Sequence, residues 1–289
     1  MNILPRNFKE SDRMAAQEKI IRAVMANPYV FLLQYCKDPR TFQGRFVNSD
    51  LMKETFPIYR ASKESRNYFN LPVHNAAAAL AAKQFSRIVQ DSSNPERIVL
   101  HFVTGTPGSG KTTVIQEYGI LPDNVRGVYE GQLVDESAIS KIQEALDAGL
   151  MPCISVVYTT AETALDNTMN RFNLIGRGAS MALIAKILGD LPEGLRRIHE
   201  KFEGAVTLDI FDKRDQLNVR TLEGWEHLHI LESEGSRERI KTRLSEYLER
   251  IRGKLSTDCY SQAAGFPPVL RGGDKAEPSG MADESGGQQ

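Results

Sequence analysis

The chain has 289 residues, enough for one large α/β domain, or a medium domain with appendages, around a sizeable core. Its 36 Lys and Arg balance 37 Asp and Glu to a formal net charge of −1, so no global electrostatic case exists for a nucleic-acid or membrane-surface protein. Three scattered cysteines (Cys36, Cys153, Cys259) form no C-x-x-C pair, which argues against a disulfide framework or zinc site and for reduced thiols in the cytoplasm.

Met1 to Arg6 lacks the apolar segment of an export signal, and no stretch approaches the ~20 apolar residues of a membrane span. Met14, Ala15, Ile20, Ile21 and Val24 recur at helical spacing and predict an amphipathic helix from Ser11 to about Val24. A second apolar stretch, Tyr29 to Tyr35, follows Pro28. Residues 1–44 are therefore expected to be a helical extension that packs on the chemistry or mediates assembly. Arg45 to Asp50 reads as a short strand ending in a polar loop, and Leu51 to Phe56 as a helical turn stopped by Pro57. His74 to Val89 is alanine-rich, and Leu80, Phe85, Ile88 and Val89 give it an apolar helical face.

Ile98 to Val103 is a short apolar, β-branched run, as a buried strand requires. It leads into Gly105-Thr106-Pro107-Gly108-Ser109-Gly110-Lys111-Thr112, which fits the phosphate-loop pattern G-x-x-x-x-G-K-[ST] without a mismatch. The glycines let successive backbone N–H groups turn inward around phosphate oxygens. The lysine reaches the β- and γ-phosphates, and the Thr112 hydroxyl holds Mg²⁺. From Thr112 and Thr113 onward a helix can open with its positive end toward the phosphates. Gly105 to Thr113 is accordingly the expected ATP site.

Beyond it, Arg126 to Glu130 predicts a strand, Glu136 to Ala148 a helix, Cys153 to Tyr158 a strand and Glu162 to Phe172 a helix. Val206 to Phe211 closes the alternation as a last strand. This order predicts a phosphate-loop, three-layer α/β/α sandwich with a mostly parallel sheet over residues 45–255. His227 and His229 would share one face of a strand, without a visible third metal ligand. Ser236 to Ile251 has helical spacing and charges of alternating sign, which suits a solvated face better than a nucleic-acid patch. Residues 256–289 are assigned to a flexible tail; the chain turns Gly/Pro/Ser-rich from Gly265 and has almost nothing to bury from Arg271.

A phosphate loop binds a nucleotide without saying what happens to it. Glu130, ending a strand, suits a carboxylate that orients Mg²⁺ or its water, or else is an ordinary strand-end glutamate. Arg171 and Arg177 bracket a glycine-containing loop, as a lid delivering guanidinium groups to a transferring phosphoryl group would, or are surface arginines near a helix end. The connection from Tyr118 to Glu130 leaves no room for a substrate-binding segment, whereas Val47 to Tyr59 stands upstream of the loop.

That upstream stretch, with Asp50, Lys53, Pro57 and Tyr59, resembles the D-x-[FL]-[KR]-x-x-x-P-x-[YF] substrate segment of the zeta-toxin family of bacterial kinases. Val73-His74-Asn75 opening an alanine-rich helix, Val128-Tyr129-Glu130-Gly131, and Arg171 with Gly176-Arg177 resemble further pieces of the same family. The order departs from it, because zeta toxins place the phosphate loop before the aspartate segment. The strand bearing Asp50 is therefore expected to enter the sheet before the phosphate-loop strand while occupying the equivalent place in space. The resemblance implies an ATP-dependent kinase acting on a UDP-activated amino sugar, with an inhibitory protein partner as in toxin–antitoxin pairs. Asp50 would then take the proton from the substrate hydroxyl, needing no tuning because an ordinary aspartate, pKa ~3.9, is ionised at neutral pH. Lys53 and Glu130 would contact substrate, Thr112 and Glu130 the metal, and Lys111, Arg171 and Arg177 would neutralise developing charge. On local grounds Asp50 could instead cap a helix, and His74 could be a cap or a buried polar residue. Two other functions fit a phosphate loop: an ATPase or switch module acting on a protein partner, and an ATPase handling nucleic acid.

Overall fold

The computed structural model describes residues 1–117, 121–215 and 217–269; the expected tail beyond residue 269 lies outside them. The strands are β1 (Phe46–Asn48), β2 (Val99–Thr104), β3 (Val125–Glu130), β4 (Met151–Tyr158), β5 (Thr207–Asp212) and β6 (Arg220–Glu223). They form one six-stranded sheet in the order β1-β3-β2-β4-β5-β6, parallel except for the antiparallel β5–β6 pair.

Around it lie α1 (Ser11–Ala26), α2 (Pro28–Lys37), α3 (Ser49–Lys53), α4 (Pro57–Arg60), α5 (Lys63–Tyr68) and α6 (Asn70–Val89). Then come α7 (Lys111–Glu117), α8 (Glu136–Asp147), α9 (Ala161–Ile175), α10 (Met181–Phe202), α11 (Arg237–Ile251) and α12 (Thr257–Ala264).

The period-2 alternation of strand side chains divides the interior into two cores, one on each face. Leu100 and Phe102 of β2, Ile154 and Val156 of β4, and Leu208 and Ile210 of β5 join a core with α8, α10 and α11. Val103 and Val157 point the other way, into a core with Phe46, Val125 and Val128 that α1, α2 and the first half of α6 complete. The fold is thus α/β, with helices against both faces of a mostly parallel sheet. The N-terminal helices share this second core, and the buried Tyr35 hydroxyl of α2 donates to the Phe46 carbonyl at 2.7 Å and accepts from the Asn48 N–H at 2.9 Å. That pins the edge strand β1 in place.

Several expectations are corrected. β5 is not the last strand, since the exposed β6 pairs beyond it. Trp225–Glu234 is 3-10 helix, so His227 and His229 do not share a strand face. Pro57 does not end a structure but opens α4, where its missing N–H costs nothing. Residues 257–264, assigned to a flexible tail, form α12 with Cys259 and Ala263 buried in the first core. The Ser256 hydroxyl accepts from the Cys259 N–H and caps this helix. The long α10 was not anticipated at all.

Candidate functional site

The site lies where β2, β3 and β1 end side by side, and the parallel register places Val103 beside Glu130 and Glu130 beside Asn48. Each strand hands over to a polar segment: β2 to the glycine-rich loop of residues 105–112, β3 to Glu130, and β1 to α3.

The loop backbone has the conformation its glycines predict. Gly105, Gly108 and Gly110 have φ of +135°, +84° and +91°. A Cβ on Gly105 would fall 2.3 Å from the Val157 carbonyl oxygen, and one on Gly108 2.3 Å from that of Ala164. Only glycine combines those dihedrals with such close backbone approach. Thr106 and Ser109 are buried within the loop, and Pro107 lies between Thr106 and Gly108. Asn167 of α9 braces the loop by donating from Nδ2 to the Gly108 carbonyl at 2.8 Å.

Lys111 folds back on this loop, donating from Nζ to the carbonyls of Gly105 at 2.8 Å and Thr106 at 2.9 Å. Its ammonium lies 3.8 Å from Glu130 Oε1. Burial pulls its pKa below the ordinary lysine value, with Glu130 opposing. Thr112 Oγ1 donates to Glu130 Oε2 at 3.4 Å, and Thr113 follows it in α7. Asn48 Nδ2 donates to the same Glu130 oxygen at 2.6 Å, while Asn48 Oδ1 accepts from the Leu51 N–H at 2.9 Å. One side chain therefore caps α3 and holds Glu130. Asn48 is the cap; Asp50 stands in the first turn of α3, not at the end of a strand.

Asp50 is free to face a second cluster. Its Oδ2 lies 2.7 Å from Arg177 Nη2 and its Oδ1 3.0 Å from Lys53 Nζ. Its side chain remains 41% exposed to the cleft. Burial pushes the carboxyl pKa up, but Arg177 and then Lys53 outweigh that and hold it well below the ordinary value of 3.8. Arg177, buried beside this carboxylate, is correspondingly raised. Lys53 is 3% exposed and gives its other contact to Asn70 Oδ1 at 2.7 Å. It is therefore spent on Asp50 and Asn70, and it does not line the pocket beside Asp50 as a contact to an anionic substrate would require. Burial lowers its pKa and Asp50 opposes. Arg171 Nε donates to the Arg177 carbonyl at 3.2 Å, which ties the two arginines into one unit. Burial, then the charge of Arg177, depresses the Arg171 pKa.

Gly176 makes this loop possible. It ends α9 at φ +75°, and a Cβ there would lie 2.0 Å from the Lys63 carbonyl oxygen of α5. Asp50, Asn67, Asn70, Arg171, Arg177 and Gln262 surround a small pocket of about 50 Å³. The electrostatic reach is continuous, because both Asp50 and Arg171 act on the Lys111 ammonium. His74 lies beside this cluster in the second turn of α6 and caps nothing; burial, then Lys53 and Arg6, push its pKa down to about 4.

Sequence reasoning missed Asn48, Asn70, Asn167 and Gln262. Asn48 had a local signal, as a capping residue type directly before a helical turn. Gln262 had none, since it comes from α12. Thr112 and Glu130 juxtapose a hydroxyl and a carboxylate, a hard-oxygen pair that suits Mg²⁺ with phosphates completing its coordination. Among the described residues no cluster of three or more His, Cys, Asp or Glu could hold a metal ion by itself, and no helix is long and apolar enough to cross a membrane. In comparisons with known proteins, no family model matches the chain and no curated protein matches it.

Proposed function

We propose that this chain is an ATP-dependent kinase that transfers the γ-phosphoryl group to a hydroxyl of a small metabolite. The observation that supports it is the convergence of Asp50, Arg171, Arg177 and Lys111, with a polar pocket beside the carboxylate. A hydrolytic switch needs a positioned water, whereas a carboxylate lining a pocket suits a bound acceptor.

In this reading the acceptor hydroxyl gives its proton to Asp50 as its oxygen bonds to the γ-phosphorus. The bond from that phosphorus to the β–γ bridging oxygen breaks, and ADP leaves. Lys111 leaves the loop carbonyls to meet the β- and γ-phosphates, and Arg171 and Arg177 neutralise the charge spread over the equatorial oxygens. Thr112 and Glu130 would hold Mg²⁺, which when bound supplies further neutralisation of the phosphate oxygens. Metabolite sites run to ~300–1,000 Å³, so a pocket of about 50 Å³ is closed. Arg177 and Asp50 both line it and are joined by an ion pair, so parting them would enlarge it, which fits the arginine segment as a lid.

The resemblance to zeta toxins proposes a UDP-amino sugar as acceptor and an inhibitory protein as partner. Three free thiols suit the cytoplasm, where ATP is available. The test is ADP production by purified protein with and without candidate acceptors. ATP should be consumed only with acceptor, and Asp50→Asn should abolish transfer while leaving ATP binding intact. Acceptor-independent hydrolysis would refute the kinase; transfer retained in Asp50→Asn would refute the base.

A further inference from the structure

Three cationic residues follow the core of β5, and they are used differently. Asp212, whose side chain is 1% exposed, takes Arg214 through Nε at 2.9 Å and Nη2 at 2.8 Å, and Arg220 through Nη2 at 2.8 Å. Lys213 turns the other way. Its backbone N–H donates to the Tyr158 carbonyl at 2.7 Å, which fixes it beside the end of β4. Its Nζ lies 3.0 Å, and its Cε 3.9 Å, from the place a Cβ on Gly110 would occupy. Among the described residues this ammonium has no carboxylate, carbonyl or ring partner, although Lys213 is partly buried. A positive charge is thus held against the flank of an anion-cradling loop with no counter-charge of its own.

The sheet order says which part of a ligand this charge meets. Glu130 and Asp50 approach the loop from the β3 and β1 side, whereas Lys213 comes from the β4 and β5 side. A triphosphate lying along the loop with its γ-phosphate toward Asp50 directs its nucleoside end toward β5. We propose that Lys213 is a nucleotide-binding residue whose ammonium contacts the nucleoside-proximal part of the ligand, the α-phosphate and its ribose. The inference rests on the phosphate loop binding a nucleotide and takes the ligand's direction from the proposed role of Asp50, whereas its test reads nucleotide affinity alone. A Cβ on Gly110 would press on the Lys213 ammonium and shift it by a few tenths of an ångström.

The test is calorimetric titration of Mg-ATP and Mg-ADP into the full chain and into Lys213→Ala and Lys213→Gln, the second keeping most of the stem while losing the charge. Both variants should bind ATP and ADP about tenfold more weakly, by the same factor for each, as loss of one charge-assisted contact implies. Their melting temperatures without nucleotide should match wild type. Affinities within about twofold of wild type would overturn the assignment. So would a loss confined to ATP, which would put the ammonium at the γ-phosphate. Failure of the unsubstituted chain to bind either nucleotide would overturn the phosphate-loop reading itself, and would show before any variant is made.

Discussion

Arg177 Nη2 lies 2.7 Å from Asp50 Oδ2, and this one contact both prepares and blocks the proposed base. The guanidinium keeps the carboxylate ionised, with a pKa well below 3.8, and also covers the atom that must accept a proton. Since kcat/KM reports the free enzyme, its acidic limb should not contain an Asp50 titration above pH 3.8. Arg177→Ala should move such a limb upward and lower kcat by roughly 10²–10³, the range for losing one transition-state donor. A pH–rate profile of both proteins checks this, and a limb that does not move on removing Arg177 would count against Asp50 as the base.

His74 makes a separate prediction, in stability. Burial, then Lys53 and Arg6, lower its pKa from 6.5 to about 4, with Asp50 opposing. The folded state therefore refuses a proton that the unfolded chain accepts. Stability from this group is fully present above pH 6.5 and is lost as the pH falls toward 4. The loss at pH 5 should be on the order of 1–2 kcal/mol after allowing for partial exposure. Urea midpoints at pH 7 and pH 5 should fall further in wild type than in His74→Gln, which has nothing to protonate there. Equal falls would show that His74 is not the group responsible.

These groups differ in how legible they were. The conformation of the glycine-rich loop was legible because it is local: three glycines with positive φ and a lysine fit within one octet. β2 and β4 were legible as apolar runs, because central parallel strands are buried on both faces, and β1, β3 and β5 as shorter segments around Phe46-Val47, Val128-Tyr129 and Leu208 to Phe211. β6 was not, since the exposed Arg220, Thr221 and Glu223 carry no apolar alternation. α10 was hidden by Gly189, Pro192 and Gly194, which normally read as breakers. In the fold two of them serve packing: a Cβ on Gly189 would lie 2.8 Å from the Arg237 nitrogen, and one on Gly194 2.3 Å from the Leu133 carbonyl oxygen. The Asn48–Glu130 hydrogen bond spans 82 residues and exists only because β1 pairs with β3, which no local pattern encodes.

The loop glycines can be separated from glycines that merely turn the chain. Gly108 and Gly149 have similar positive φ, +84° and +72°. A Cβ on Gly108 meets the Ala164 carbonyl oxygen at 2.3 Å, whereas one on Gly149 has nothing within 4 Å. Gly149→Ala should cost only the dihedral penalty, about 1 kcal/mol, and leave nucleotide binding unchanged. Gly108→Ala should displace the loop from α9, cost more than about 2 kcal/mol and weaken ATP binding at least tenfold. Melting curves and nucleotide titrations of the two variants check the contrast. Equal behaviour would mean that the approach to Ala164 does not set the loop geometry.

Asn48 touches neither nucleotide nor acceptor in the proposed reaction, yet its removal should be felt by the metal. Its Oδ1 caps α3 and its Nδ2 holds Glu130 Oε2, the oxygen that Thr112 also meets. Asn48→Ala should lose about 1 kcal/mol of stability through the cap alone. It should also free Glu130 to turn, and supporting residues of this kind typically change metal affinity by about 10-fold or more. The Mg²⁺ concentration giving half-maximal transfer should therefore rise about tenfold, with ATP binding in the absence of metal unchanged. Asn48→Ser separates the two roles, because a serine hydroxyl can cap α3 but is too short to reach Glu130. That variant should recover the stability and keep the raised Mg²⁺ requirement. If instead the Mg²⁺ dependence returns to wild type along with the stability, Asn48 acts through the helix and not through Glu130.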